Sequence, residues 1–382
     1  MTDKSYPEIR EGLRRLCAAF PGPYWQALDR QRAYPQDFVA ALTEAGYLAC
    51  LIPEDYGGSG LPLSAASAIL EEIHKAGCNG AACHAQMYTM GTVLKHGSRA
   101  QKKRYLPEIA AGSLRLQAFA VTEPASGTDT LSLRTTAERR GDRYVVNGQK
   151  VWTSRAEHSD LLLLLARTTP KQEVVRRGDG LSVFLVDLRA VEGLTVRPIR
   201  TMMNHATTEI FFDSMEIPAE SLIGEEGRGF RYILDGMNAE RILIASECIG
   251  DARWFIDKAR HYASDRQVFA KPIGANQGVQ FPIARAYAES EAAALMVAKA
   301  AALFDAQKPC GAEANMAKLL AAEAAWHAGD SCLQTHGGFG FAEEYDIERK
   351  FRETRLYQVA PISTNLILAY LGEHVLGMPR SY

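Results

Sequence analysis

The sequence lacks a long apolar run, an excess charge of either sign and a signal-like start. The longest aliphatic stretch, Leu161 to Ala166, is far shorter than the ~20 residues of a membrane span. The opening MTDKSYPEIREG has no apolar core of a signal peptide. The 43 basic and 45 acidic residues are intermixed and give a net charge of −2, which excludes an extended positive field for nucleic acid or an anionic membrane. These absences predict a soluble, cytoplasmic protein with no nucleic-acid or membrane partner.

Disulfide and metal patterns are also missing. The seven cysteines are scattered, odd in number and without a CxxC pair, which indicates reduced core residues. The nine histidines form no HExxH or similar spacing, so no metal site is predicted. Neither GxGxxG after a strand nor GxxxxGK[ST] occurs. Any nucleotide must therefore be held without a standard phosphate loop.

The hydrophobic period changes twice along the 382 residues. Up to about Gln117 apolar residues recur every three or four positions, as in DFVAALTEAGYLACL, and this period returns after Gly229. Between these segments the period is two, as in LSVFLVDL and TEIFFDSMEI. We predict an α+β fold with an N-terminal helical domain over 1–117, a central β domain over 118–225 and a C-terminal helical domain over 226–382. The pair Asn147-Gly148 predicts a tight hairpin turn within the β segment.

One carboxylate falls on the apolar side of a predicted helix. In GFRYILDGMNAERILIASECIG, one stripe at 100° per residue contains Ile233, Met237, Glu240, Ile244 and Cys248. The positions three and four residues from Glu240 on either side hold no cation. Burial without a partner raises the pKa of a carboxyl group, which suits a proton acceptor. The alternative is a structural carboxylate paired with a distant arginine.

Four segments, in order and at matching spacing, resemble motifs of the acyl-CoA dehydrogenase family. They are FAVTEPASGTD at 119–129, KVWTS at 150–154, DRQVFAKPIGANQ at 265–277 and LQTHGGFGFAEEYDIERKFRETRLY at 333–357. The resemblance extends over essentially the whole chain. It implies an N-terminal helical domain, a β-barrel-like central domain and a C-terminal four-helix bundle. It also implies a homotetramer or dimer with one FAD per subunit.

The resemblance further implies which residues hold FAD. Residues 119–128, Trp152 and Ser154 would border the flavin ring, while Arg266 and Gln277 would reach the FAD of a neighbouring subunit. A guanidinium suits this task because charge-assisted bidentate bonds hold phosphate oxygens well. The complete implied set is Phe119, Val121, Thr122, Thr128, Trp152, Ser154, Arg266, Phe269, Gln277, Gln334, Gly337 and Gly338.

Gln358 occupies a position where much of the family has a glutamate base. It follows Tyr357 of the C-terminal motif, and an amide cannot remove a proton. Members similar to isovaleryl-CoA dehydrogenase carry the base on the long helix, at the position that Glu240 matches. The resemblance therefore implies Glu240 as the base and the Gln358 backbone N–H as a donor to the thioester oxygen. The remaining substrate-side residues that it implies are Thr128, Asn238 and Arg241.

The implied reaction is the α,β-dehydrogenation of an acyl-CoA thioester to a trans-2-enoyl-CoA. Glu240 would take the α-proton while a β-hydride passes to flavin N5. Electrons would then pass to an electron-transferring flavoprotein. Two alternatives stay open. A flavin monooxygenase or reductase on the same fold would react rapidly with oxygen when reduced, and a non-catalytic flavoprotein would not be bleached by any thioester.

Overall fold

The computed structural model describes residues 5–380 of the chain. Helices occur at both ends of this range and strands in its middle, so the predicted order of helical, β and helical segments is confirmed. The α-helices are α1 Pro7–Ala18, α2 Gly22–Gln31, α3 Gln36–Glu44, α4 Leu63–Lys75, α5 Ala81–His96, α6 Arg99–Ala111, α7 Gly229–Asp265, α8 Gln277–Asp305, α9 Gly311–His336, α10 Ile347–Arg355 and α11 Thr364–Tyr370. The strands are β1 Leu116–Ala120, β2 Thr136–Arg140, β3 Arg143–Ser154, β4 Leu161–Arg167, β5 Leu181–Asp187, β6 Leu194–Pro198, β7 Thr207–Pro218, β8 Leu222–Ile223, β9 Gln267–Val268 and β10 Lys271–Pro272.

The chain divides into two compact units. The first, called the helical unit, comprises the residues up to Gln31, Pro62–Gly80 and the residues from Asn238 onward. The second, called the sheet unit, comprises Arg32–Leu61 and Ala81–Met237. Helices α1, α2 and α4 therefore belong with the C-terminal helices. The domain boundaries drawn from the sequence stay a prediction.

The sheet unit is built on one eight-stranded sheet in the order β6-β7-β3-β2-β4-β5-β8, with β1 parallel to β4. Strand β4 is buried along its whole length. Leu161, Leu163 and Leu165 enter the core that also contains residues of α5 and α6. Leu162 and Leu164 enter a second core with residues of β3, β5 and β7. Burial on both faces explains why this strand has an uninterrupted apolar run.

The hairpin predicted at Asn147-Gly148 is wrong. Strand β3 continues through this pair, and its register against β7 shifts there, which is a bulge. Gly148 has a φ of 146°, and a Cβ at this position would lie 2.5 Å from Oγ1 of Thr135. The bulge therefore requires glycine. The turn that joins β2 to β3 lies earlier in the chain, at Gly141 and Asp142.

Long helices dominate the helical unit. The β9–β10 hairpin joins α7 to α8, and residues 306–310 join α8 to α9. Because these connections are short, consecutive helices run antiparallel, and the end of α7 meets the start of α8 and the end of α9. The rings of Tyr262 and His336 stack there at 4.1 Å. Buried alanines, including Ala293, Ala300 and Ala321, allow α8 and α9 to approach closely.

All seven cysteines are free and buried, which confirms their interpretation as core residues. In the part of the chain that the structure describes, every helix is too short or too polar to cross a bilayer.

Candidate active site

The segment 119–129 leaves β1 and is held directly against β3. The N–H of Val151 donates to the carbonyl of Thr122 at 2.9 Å. One residue earlier, Nζ of Lys150 donates to the carbonyl of Val121 at 2.9 Å and to Oε1 of Glu123 at 2.8 Å. These bonds place two segments that the sequence motifs singled out, 119–129 and 150–154, side by side in the sheet unit.

Lys150 and Glu123 form a buried ion pair that the motif comparison did not predict. The exposed fraction is 0% for Lys150 and 6% for Glu123. Burial lowers the pKa of Lys150 to about 8, against the attraction of Glu123. Burial also acts to raise the pKa of Glu123, but Lys150 and the N–H groups of Arg134 and Thr135 outweigh it, so this pKa is lowered. The segment is thus fixed by charge inside the sheet.

Trp152 is exposed although it lies within a strand. Its exposed fraction is 59%, its φ is 64°, and the register of β3 shifts between Lys150 and Thr153. A bulky residue at positive φ is uncommon and marks strained backbone, which concentrates at functional sites. The inward lysine and outward tryptophan reverse the usual pattern of a strand. The result is a flat aromatic surface next to Val151, the residue bonded to Thr122.

The rest of segment 119–129 turns back on itself. The backbone groups of Glu123 and Ser126 bond to each other, and Oγ of Ser126 donates to the carbonyl of Asp129 at 2.5 Å. Thr128 is exposed at the tip of this turn, whereas Phe119, at the start of the segment, is half-buried against Tyr88. Ser154, at the end of β3, is also half-buried. Of the predicted ring-side residues, Val121 and Thr122 are therefore bonded directly to the strand that contains Trp152 and Ser154.

A second predicted group lies in the helical unit, where α7, α8 and α9 meet. All of its members are exposed: Arg266, Phe269, Gln277, Gln334, Gly337 and Gly338. Arg266 forms no ion pair with any of residues 5–380. Gly337 ends α9 with a φ of 57°, a conformation that favours glycine. An unpaired guanidinium, amides and glycine backbone are the groups that bind phosphate and ribose oxygens.

Glu240 lies in α7 with an exposed fraction of 5%. Within residues 5–380, no hydrogen bond or ion pair involves its carboxylate. Burial raises its pKa to about 7, while the charges of Arg241 and Lys318 act to lower it. Glu240 is therefore a buried carboxylate without a direct partner, poised to exchange a proton near neutral pH.

Two cations lie near Glu240. Nη1 of Arg241 donates to Oδ1 of Asn238 at 3.1 Å, while its Nε is buried without a partner among the described residues. Lys318 of α9 is fully buried, and its Nζ donates to the carbonyl of Ile362 at 2.8 Å. Burial lowers the pKa of Lys318 to about 8. Sequence reasoning missed Lys318, although a lone lysine in the apolar stretch ANMAKLLAAEAA was a usable sign.

Gln358 ends a 3-10 turn, Leu356–Gln358, that directly follows α10. Its side-chain oxygen accepts a hydrogen bond from Nη1 of Arg355, the last residue of α10. In a 3-10 turn an N–H points to the carbonyl three residues earlier. The side chain of Gln358 thus stabilises the local structure. If the backbone N–H of Gln358 also donates to a substrate, it must divide its hydrogen bond between the substrate and the carbonyl three residues earlier.

A buried ionic network fixes α10. Asp251 of α7 accepts from Nδ1 of His74 at 2.8 Å and from Oγ1 of Thr354 at 2.7 Å, and it pairs with Lys350 at 2.5 Å. Burial acts to raise the pKa of Asp251, but Lys350 and His74 lower it to about 2. The N–H of Gly80 donates to Nε2 of His74 at 2.9 Å, so the proton on Nδ1 faces Asp251. The network holds the helix whose end leads into Gln358.

Three family models match the chain almost from end to end. They are described as the acyl-CoA dehydrogenase N-terminal, middle and C-terminal domains, and they match residues 4–113, 118–215 and 227–371. The chain is 35% identical over 393 residues to the acyl-CoA dehydrogenase fadE12 of Mycobacterium bovis, covering 100% of both sequences.

Solved structures also match the chain over nearly its whole length. The chain matches a glutaryl-coenzyme A dehydrogenase in complex with glutaryl-CoA with a TM-score of 0.92 and 30% identity, covering 100% of this chain and 97% of that one. It also matches a chain from a structure of the electron transferring flavoprotein of Acidaminococcus fermentans, with a TM-score of 0.92 and 27% identity, covering 98% and 99%.

Proposed function

Because the chain belongs to the acyl-CoA dehydrogenase family and is an FAD-dependent oxidoreductase, we propose that it converts a saturated acyl-CoA to the trans-2-enoyl-CoA with Glu240 as the base. The observation that carries this proposal is the state of the Glu240 carboxyl group. It is buried, has no direct ion pair among the described residues, and has a pKa of about 7. A base whose pKa lies near the working pH is ionised often enough to act and still basic enough to accept a proton.

In the proposed reaction the α-proton of the thioester moves to the Glu240 carboxylate, and the β-hydrogen leaves as hydride. FAD, when bound, supplies the hydride acceptor. The Gln358 backbone N–H is proposed to bond the thioester oxygen as negative charge develops there. Asn238 and Arg241 are proposed to support the substrate side of the site, since their mutual bond fixes both side chains in the same turn of α7 as Glu240.

The residues proposed for FAD binding fit a flat ring with an attached phosphate chain. The exposed Trp152 and the segment bonded to Val151 offer an apolar surface and backbone groups side by side. The ring-side set is Phe119, Val121, Thr122, Thr128, Trp152 and Ser154. The exposed set at the end of the helical unit, Arg266, Phe269, Gln277, Gln334, Gly337 and Gly338, is proposed to bind the FAD of a neighbouring subunit.

Self-association as a homotetramer or dimer is part of this proposal. Its support is the set of large apolar side chains that the C-terminal helices and the β9–β10 hairpin leave exposed, among them Phe269, Phe281, Leu295, Leu368 and Leu376. Sedimentation equilibrium of the FAD-loaded protein measures the state, and a monomer would contradict it. An electron-transferring flavoprotein is proposed as the acceptor, and its reduction by substrate in the presence of this enzyme is the direct assay.

The central experiment is anaerobic mixing of the FAD-loaded protein with straight-chain and branched saturated acyl-CoA thioesters while the oxidised flavin absorbance is recorded. We expect bleaching by at least one thioester and near-complete loss of bleaching in Glu240→Gln. Asp257→Asn, an exposed position on the same helix, is the matched control and should bleach like the native protein. Equal rates in native protein and Glu240→Gln would refute the base assignment. No bleaching by any thioester would refute the reaction itself.

A further inference from the structure

Lys318 is a buried ammonium group that the proposed reaction leaves without a role. Its exposed fraction is 0%, and its Nζ donates to the carbonyl of Ile362 at 2.8 Å. No carboxylate among residues 5–380 lies within ion-pair distance of it. An ammonium group has three N–H donors, so most of its bonding capacity is unused within the described chain. A buried cation bonded so sparsely is costly, which points to a role beyond packing.

The electrostatic surroundings of Lys318 include Glu240. Burial raises the pKa of Glu240 to about 7, and Arg241 and Lys318 act against this rise. Burial lowers the pKa of Lys318 to about 8, and Glu240 acts against that fall. Cys248 of α7 also lies within electrostatic range of Lys318, but burial raises the pKa of its thiol well above the ordinary value, so the thiol carries no charge at neutral pH. Tyr370 of α11 acts to raise the pKa of Arg241. Two cations, Arg241 and Lys318, thus act to lower the pKa of one buried carboxyl group, Glu240.

We propose that Lys318 is a positioning residue for the dehydrogenation, whose ammonium charge keeps Glu240 ionised and whose bond to Ile362 ties the segment after Gln358 to α9. The proposal rests on the role of Glu240 as base. Without Lys318, desolvation of Glu240 is opposed by Arg241 alone, so the pKa of Glu240 rises and a smaller fraction of Glu240 can accept the α-proton at neutral pH. The bond to Ile362 supplies the geometric part, because residues 359–363 join the turn that contains Gln358 to α11.

The first test compares Lys318→Gln and Lys318→Met, which remove the charge, with Lys318→Arg, which keeps it. The FAD-loaded proteins are mixed anaerobically with the acyl-CoA that bleaches the native protein fastest, over a range of pH. The pH of half-maximal rate should rise in Lys318→Gln and Lys318→Met and stay unchanged in Lys318→Arg. Below both midpoints this shift lowers the rate, by about tenfold for each unit of the shift, and alkaline pH restores it. Damage to the fold alone would lower the rate at every pH.

The second test measures ionisation without turnover. Infrared spectroscopy of the FAD-loaded protein follows the protonated carboxyl band that disappears in Glu240→Gln, and its titration should move to higher pH in Lys318→Gln. If neither charge-removing variant folds, the reciprocal measurement remains. In Glu240→Gln the titration of Lys318, followed by NMR of labelled lysine, should fall below that of the native protein, because the attraction that raised it is gone. Lys299→Gln, an exposed site on α8, is the control and should move neither titration.

The outcomes separate the two proposals. If no thioester bleaches the native protein at any pH, the proposed function fails. If the native protein is bleached but Lys318→Gln keeps the native midpoint and the native carboxyl titration, the role of Lys318 is overturned. An unchanged Lys318 titration in Glu240→Gln overturns it as well.

Discussion

Nζ of Lys150 lies 2.8 Å from Oε1 of Glu123 inside the sheet unit, and the same ammonium group bonds the carbonyl of Val121 at 2.9 Å. One buried charge thus fixes both the ion pair and the backbone of the segment proposed to border the flavin. The Glu123 carboxylate also accepts hydrogen bonds from the N–H groups of Arg134 and Thr135. It therefore connects segment 119–129 to the residues that precede β2.

Lys150→Met should destabilise the protein strongly, because it leaves the Glu123 carboxylate buried without its cation. Breaking a buried pair in this way costs about 3–5 kcal/mol. We expect a clear fall in the urea midpoint of unfolding and a weaker retention of FAD. Lys171→Met, an exposed lysine, is the control. Equal midpoints for the two variants would show that the pair does not contribute to stability.

Trp152→Gly and Trp152→Ala should separate backbone strain from flavin binding. Both variants remove the exposed ring, so both should bind FAD more weakly in a titration. Only glycine adopts the positive φ of this position freely, so Trp152→Gly should be more stable than Trp152→Ala by about 1 kcal/mol. Thermal unfolding of the FAD-free proteins measures the difference. FAD affinity like that of the native protein in both variants would exclude the proposed role of the ring.

Asp251→Asn should remove a contribution to the free energy of unfolding that the native protein loses when the pH becomes acidic. The pKa of Asp251 is lowered from its ordinary value of 3.8 to about 2, so its ionised form stabilises the fold above about pH 4, and this stabilisation of about 2 kcal/mol is lost as the pH falls toward 2. The urea midpoint of the native protein should drop across this window more steeply than that of Asp251→Asn. Asp257→Asn, exposed on the same helix, should follow the native curve, and identical slopes in all three would contradict the assignment.

The rate of substrate-dependent bleaching should rise with pH through about 7. The base must be ionised to accept a proton, and the pKa of Glu240 is about 7, so below this pH the rate should fall about tenfold per unit. Stopped-flow absorbance at a series of pH values measures the profile. A midpoint near 4.5, the ordinary value for a glutamic acid, would mean that the acting base is exposed to water.

Gln358→Ala should retain most of the rate. The side-chain oxygen of Gln358 is bonded to Arg355 within its own turn, and the proposed donor to the thioester is the backbone N–H, which alanine keeps. We expect a loss smaller than about tenfold, compared with the 10²–10³ typical of a lost oxyanion donor. Val359→Ala, at the exposed neighbouring position, is the control. A loss of about a hundredfold or more would show that the side chain itself contacts the substrate.

Several features could be predicted from the sequence because they depend on local pattern. The change of hydrophobic period from helical to alternating and back predicted the order of helices and strands, and the apolar stripe around Glu240 predicted its burial. The Asn147-Gly148 pair was misread because the same two residues suit a hairpin turn and a bulge. The choice between them depends on the partner strand β7, some sixty residues further along the chain.

The sequence by itself determined which residues are apolar, which backbone positions tolerate positive φ and which motif order the chain carries, because these follow from residue type and near neighbours. The tertiary structure alone decided that Lys150 meets Glu123, that Arg266, Gln277 and Gln334 share one end of the helical unit, and that Lys318 lies within electrostatic reach of Glu240. The physical reason is that the partners and the pKa of an ionisable side chain depend on the groups that surround it in the folded protein. Those surroundings are assembled from helices and strands far apart in the chain.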